Sequence, residues 1–259
     1  MLKLTSYPVV MLLAFISLGF AKYATLNNLA SSETYSPAFT IYAPKEKKAG
    51  SDALFSNADY LYKSWDLARV GLSEAAFEYA LKGYDYLSKT SLLAKKNILS
   101  IVDFSKVSSK KRLFVLDITT GKILFNTLVA HGHNSGNEYA SQFSNLPESH
   151  QSSLGFYVTL GTYFGGNGYS LRLKGCEKGI NDKAFERAIV IHGAKYVSDS
   201  FIDSRGFLGR SYGCPSVPTE VSKDIIDVIK NGSCLFVYHP TKNYIQNSTI
   251  INSQDLVYH

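Results

Sequence analysis

Cys214 and His192 are the residues whose types and spacing point most directly to covalent chemistry. Cys214 lies in Gly209-Arg210-Ser211-Tyr212-Gly213-Cys214-Pro215, and His192 follows Ile189-Val190-Ile191 and precedes Gly193. A thiol of pKa ~8.5 is mostly protonated at neutral pH, so a nucleophilic cysteine needs an imidazole that takes its proton and later returns it. Gly213 and Pro215 bend the chain around Cys214, whereas Cys234, beside Leu235 and Phe236, has the apolar setting of a core thiol. The backbone N–H groups of Gly213 and Cys214 are candidate oxyanion donors, and such donors typically contribute ~2.7–4 kcal/mol each. Ser211 is placed to hydrogen-bond within the turn, and Arg210 could grip a carboxylate bidentately.

The order histidine-glycine, then about twenty residues, then Ser-x-Gly-Cys resembles the L,D-transpeptidases of bacterial cell walls, specifically the murein L,D-transpeptidase catalytic domain family. The likeness extends to Phe125-Asn126-Thr127-Leu128-Val129-Ala130-His131-Gly132, Ser152 to Tyr157, Tyr169 to Leu173, Ala188 to Gly193 and Leu208 to Pro218. It implies a thioester on Cys214, resolved by an acceptor amine or by water. It also implies an imidazole at His192 oriented by the Gly193 carbonyl, with Asp199 and Asp203 on the following loop as other orienting groups. Peptidoglycan stem peptides are the implied partner, Arg210, Tyr212 and His131 are the implied substrate-binding residues, and no metal or organic cofactor is required. Two positions depart from the commoner pattern: Tyr212 stands where many members have histidine, and Pro215-Ser216-Val217-Pro218 replaces a hydrophobic-Arg segment. Hydrolysis by a carboxypeptidase or endopeptidase, and a non-catalytic peptidoglycan-binding protein, are the alternatives. Sortases also place histidine before cysteine, but they carry a later arginine, and here none follows Arg210.

The elements that must hold these residues can be read from periodicity. Ile98 to Phe104, Arg112 to Ile118, Lys122 to Ala130, Phe156 to Leu160, Tyr169 to Leu173, Arg187 to His192 and Ser233 to His239 have the alternation and β-branched content of strands. Thr119-Thr120-Gly121 reads as a hairpin turn, and the long polar segment from Gly132 to Gln151 as a loop that rims a cleft. Leu72, Ala76, Ala80, Leu81 and Tyr84 share a helical face. A second helix follows Pro218, with Thr219 as its expected N-cap, an apolar face of Val221, Ile225, Ile226 and Ile229, and a stop at Asn231-Gly232. Its N-terminal dipole is a further candidate for stabilising a Cys214 thiolate. The expected class is α+β, with a mainly β, L,D-transpeptidase-like catalytic domain of mixed sheets (sandwich-like) and an N-terminal helical segment. The corresponding division is 1–21 signal peptide, 22–50 linker, 51–97 helical segment, 98–240 catalytic domain and 241–259 C-terminal tail.

Apolar residues make up 45% of the 259 and aromatics 13%, too much apolar surface for a disordered chain. Lys3, the thirteen-residue apolar stretch from Pro8 to Phe20 and Gly19-Phe20-Ala21 form a secretory signal pattern, too short for a bilayer span. Export to the periplasm or cell envelope follows, with no stable membrane insertion after cleavage. The net charge of +6 comes with lysines that are scattered apart from Lys45 to Lys48 and with no nucleic-acid motif, which disfavours nucleic acid and suits an anionic wall polymer or a simply solvated basic surface. Cys176 and Cys234 read as buried thiols, with a disulfide as the alternative in an oxidising compartment. His131 and His133 are two apart, the spacing of a metal pair, but no third ligand motif completes them.

Overall fold

A computed structural model describes residues 57–253; the expected signal peptide and linker lie outside the described residues. Thirteen elements of helix and strand follow in order: α1 (Ala58–Ser64), α2 (Glu74–Ser88), β1 (Ile98–Asp103), β2 (Leu113–Asp117), β3 (Lys122–Thr127), β4 (Gly155–Gly165), β5 (Gly168–Gly175), β6 (Val190–Gly193), α3 (Asp199–Arg205), β7 (Ser216–Val217), α4 (Thr219–Ile229), β8 (Cys234–Tyr238) and α5 (Lys242–Asn247). The strands form one mixed sheet in the order β3-β2-β1-β8-β4-β5-β6-β7. β1 pairs parallel with β8, and both are buried along their whole length, as central strands of a mixed sheet are.

The helical segment belongs to this packing. Ser73 caps α2 by accepting from the Ala76 N–H, and Phe77, Ala80, Leu81, Tyr84 and Leu87 turn one apolar stripe into the core, where α2 packs on β1 and β8. The Ser73 amide also donates to buried Asp103 at the end of β1. At the other end, the segment read as a tail contains α5. Tyr244 and Ser248 donate to the buried carboxylate of Glu177, which also accepts the Phe156 N–H, so residues 241–253 are fastened to the strand that begins β4.

Two sequence expectations about the late helix are corrected. The N-cap is Pro218, without a side-chain cap, and Thr219 is already helical. β7, a two-residue strand too short to give a periodic signal, stands between Cys214 and the helix. A helix dipole acts within its first turn, so the donors at the sulfur come from β6 instead. The helix ends where Asn231 and Gly232 take positive φ, 67° and 100°.

Candidate active site

The site is assembled at the β5-β6-β7 end of the sheet. β5 pairs antiparallel with β6, Ser170 opposite His192, and β6 pairs parallel with β7, His192 opposite Ser216. Isolated bridges from Ala130 to Ser216 and from Gly132 to Ser211 close the far side. Leu128, Ala130, Ala194, Val197 and Leu208 form a small separate core beneath the run that ends in Cys214. Gly193 allows α4 to approach: a Cβ there would lie 2.7 Å from Ser222 Oγ and 3.1 Å from Thr219 Cα.

Hydrogen bonding fixes the His192 tautomer. Nδ1 lies 3.0 Å from the Gly193 carbonyl oxygen, which can only accept, so Nδ1 carries the proton. Nε2 is therefore the accepting nitrogen, and it takes the Ser216 hydroxyl at 2.9 Å. Ser216 Oγ in turn accepts from the Tyr196 hydroxyl at 3.0 Å. His192 is buried, and burial lowers its pKa against the opposing bond to Gly193, which keeps the ring neutral at neutral pH. Asp199 and Asp203 lie on α3, and neither is a partner of the imidazole.

Cys214 is partly buried. Its sulfur receives the Val190 N–H at 3.5 Å and lies 3.7 Å from the Ala188 carbonyl oxygen, which suits an S–H donor. Val190, whose N–H donates to the Cys214 sulfur, and His192, which accepts from Ser216, are two apart on β6, and the thiol and the imidazole have separate hydrogen-bond partners. Burial pushes the thiol pKa up, while the Val190 N–H, the Arg187 guanidinium and the Cys214 amide favour the anion.

The turn before Cys214 is held from within. Ser211 Oγ accepts the Gly213 N–H at 3.1 Å and donates to the Cys214 carbonyl at 2.6 Å. In this conformation one of the two expected oxyanion donors is thus engaged by Ser211. Gly213 has φ of 119°, and a Cβ there would come 2.8 Å from the Gln151 carbonyl oxygen and 2.9 Å from Ile189 Cδ1. Only glycine fits both that angle and that space.

The three expected substrate-binding residues differ in exposure. Tyr212 is 72% exposed and stacks on His150 with centroids 4.4 Å apart, presenting an aromatic wall. Arg210 Nη1 donates to the His133 and Gly136 carbonyls and to Asn137 Oδ1, so it anchors the 133–137 loop. His131 is buried: Arg112 Nη2 donates to its Nδ1 at 2.8 Å, and its Nε2 lies 3.2 Å from the Gly136 carbonyl. Both nitrogens of His131 are thus engaged within the protein. His133 is exposed, with Nδ1 on Asn134, so the two histidines do not share a ligand face. All three cysteines are free thiols.

Burial and the neighbouring Arg112 lower the His131 pKa to about 4. Its unfolded pKa is ~6.5, so below that value the unfolded chain takes up a proton that the folded one refuses. Stability therefore falls as pH drops from 6.5 to about 4 and then levels, a loss of about 3 kcal/mol from this group. Urea unfolding at stepped pH should show that slope reduced in His131→Gln, whose amide can accept from Arg112 and donate to Gly136. An unchanged slope would assign the loss to other groups.

Sequence reasoning missed Ser216, Tyr196 and Arg187. Ser216 was detectable in principle, since it shares a face with Cys214 in any extended segment. Nothing in the sequence marks Tyr196 or Arg187.

Comparison with known proteins adds an independent line. A model of the L,D-transpeptidase catalytic domain matches residues 68–238, a span that takes in α2 as well as the sheet. No curated protein matches. Among solved structures, an L,D-transpeptidase from Mycobacterium smegmatis is 12% identical, with 55% of this chain and 59% of that one covered and a TM-score of 0.34. The helical cell shape determining protein Pgp2 from Campylobacter jejuni is 13% identical over 68% of this chain and 62% of its own, at a TM-score of 0.37. An L,D-transpeptidase from Stackebrandtia nassauensis is 14% identical over 78% and 98%, at 0.35. The chain spans about three fifths of the length of the mycobacterial protein.

Proposed function

Since the chain belongs to the L,D-transpeptidase catalytic domain family, we propose that it is a peptidoglycan L,D-transpeptidase with Cys214 as nucleophile and His192 as base. The observations that support this reading are the β6–β7 pairing of His192 with Ser216 and the Val190 N–H of the same strand on the Cys214 sulfur. On attack, His192 Nε2 exchanges the Ser216 hydroxyl for the Cys214 S–H and takes its proton. The sulfur adds to the carbonyl at the L-centre of the third stem residue. The tetrahedral oxyanion draws on the Cys214 and Gly213 N–H groups, the latter released from Ser211. Collapse expels D-alanine, protonated by His192, and leaves a thioester. An amine of a second stem, losing its proton to His192, then attacks the thioester and frees the thiol. Tyr212 and Arg210 line the approach, and the thiol and imidazole suffice for the chemistry. The setting is the cell envelope after export; no described helix is long and apolar enough to cross a membrane.

One observation favours a non-catalytic stem-peptide binder: in this conformation the thiol and the imidazole each hold another partner, and burial favours the neutral thiol. Mass spectrometry of muropeptides incubated with the purified protein separates the readings. New dimers identify the transpeptidase, shortened monomers a hydrolase, and unchanged but bound tetrapeptide the binder.

A further inference from the structure

Arg187 makes four hydrogen bonds, all to residues 144–153. Nη1 donates to the Ser144 carbonyl at 2.7 Å and to Ser153 Oγ at 2.6 Å, and Nη2 to Ser149 Oγ at 3.1 Å and to the Gln151 carbonyl at 2.7 Å. No carboxylate is among these partners, so the guanidinium charge is not neutralised by an ion pair there. Its Nη2 lies 3.3 Å from where a Cβ of Gly213 would be, so the charge abuts the residue next to Cys214.

The same short segment supplies both backbone partners of the sulfur. Arg187 leads into Ala188, whose φ of 54° is unusual for a residue with a side chain, and then to Val190. The left-handed residue turns the chain so that the Ala188 carbonyl faces the thiol, the Val190 amide faces the sulfur, and the guanidinium reaches back under Gly213. The Tyr196 phenol, which burial holds protonated, also bears on the sulfur. Arg187 is thus the cation that bears on the sulfur.

We infer that Arg187 is a positioning residue that favours the Cys214 thiolate through its charge, applied across Gly213. The inference rests on Cys214 being the nucleophile, but not on which stem peptide or acceptor it serves. It also gives the site a division of labour: His192 moves protons while Arg187 offsets part of the cost of an anion in a half-buried place. The expected effect of the charge is a tenfold change in the thiolate fraction, about 1.4 kcal/mol.

The test is alkylation of the full-length protein by iodoacetamide across a pH series, with Cys214 followed as its own peptide by mass spectrometry and folding checked by thermal unfolding. In Arg187→Gln the Cys214 rate at pH 8 should fall at least tenfold and recover as pH rises, while Arg187→Lys, which keeps charge but loses the fork, stays within about threefold of the parent. A rate–pH curve unchanged in Arg187→Gln would overturn the inference, and so would an equal fall in Arg187→Lys, which would assign the effect to the hydrogen bonds. The assay uses no stem peptide. A shifted curve with no muropeptide product would leave this inference standing and sink the transpeptidase reading, and the reverse result would do the opposite.

Discussion

Replacing Cys214 with alanine should abolish covalent capture of a carbapenem and lower stem-peptide dimer formation by at least ~10⁴-fold, the scale seen when a covalent nucleophile is removed. A carbapenem carries a strained acyl group that reports on the thiol without an acceptor, so a mass increase present in the parent and lost in Cys214→Ala isolates the first half-reaction. Cys176 is partly buried, with its thiol pushed up to about 12, and Cys234 is fully buried, so neither should substitute. An adduct that survives in Cys214→Ala would place the nucleophile elsewhere. His192→Ala should also lose the reaction, while Ser216→Ala, which removes only the hydroxyl on Nε2, should retain it.

The largest stability effect is expected at Arg112. Its side chain is fully buried, donating twice to the Val129 carbonyl, once to the Lys106 carbonyl and once to His131 Nδ1. Burial brings its pKa down to about 9, against the opposing charge of Asp103, so it is still a cation at neutral pH. Arg112→Ala strands three acceptors and opens a cavity, for a cost of about 3–5 kcal/mol. In a protein of this size that lowers the melting temperature by roughly 6–20 °C. His131, freed from Arg112, would loosen the chain whose carbonyl accepts the Ser211 N–H, so activity should fall along with stability. Arg112→Met, which refills the volume with an apolar chain, should cost less in melting temperature than alanine. A melting temperature within 2 °C of the parent for Arg112→Ala would show that the buried cation is not a structural keystone; that margin is below ~1 kcal/mol.

Much of the scaffold could be read from the chain because the signals are local. The apolar face of α2, the strand runs of β1, β2, β5 and β8 and the Asn231-Gly232 stop each depend on residues a few positions apart. Where packing decided the outcome, the reading fell short. β4 runs to Gly165, beyond the apolar stretch, because its outer half is supported by the β5 hairpin. β7 exists only because β6 and Ala130 flank it. The segment after residue 240 folds because a buried carboxylate contributed by Glu177 needs its hydroxyls.

By itself the sequence determined which chemistry is available: a cysteine in a glycine-proline bend, a histidine ending an apolar run, and the order of motifs around them. Tertiary structure alone decided what those groups face. The β6–β7 register set His192 against Ser216, the left-handed Ala188 turned a carbonyl toward the thiol and an arginine toward Gly213, and Arg112 engaged His131 in the interior. Local spacing fixes which face a side chain takes, whereas the partner across a strand or turn comes from pairings between segments tens of residues apart, and it is that partner which sets proton affinity.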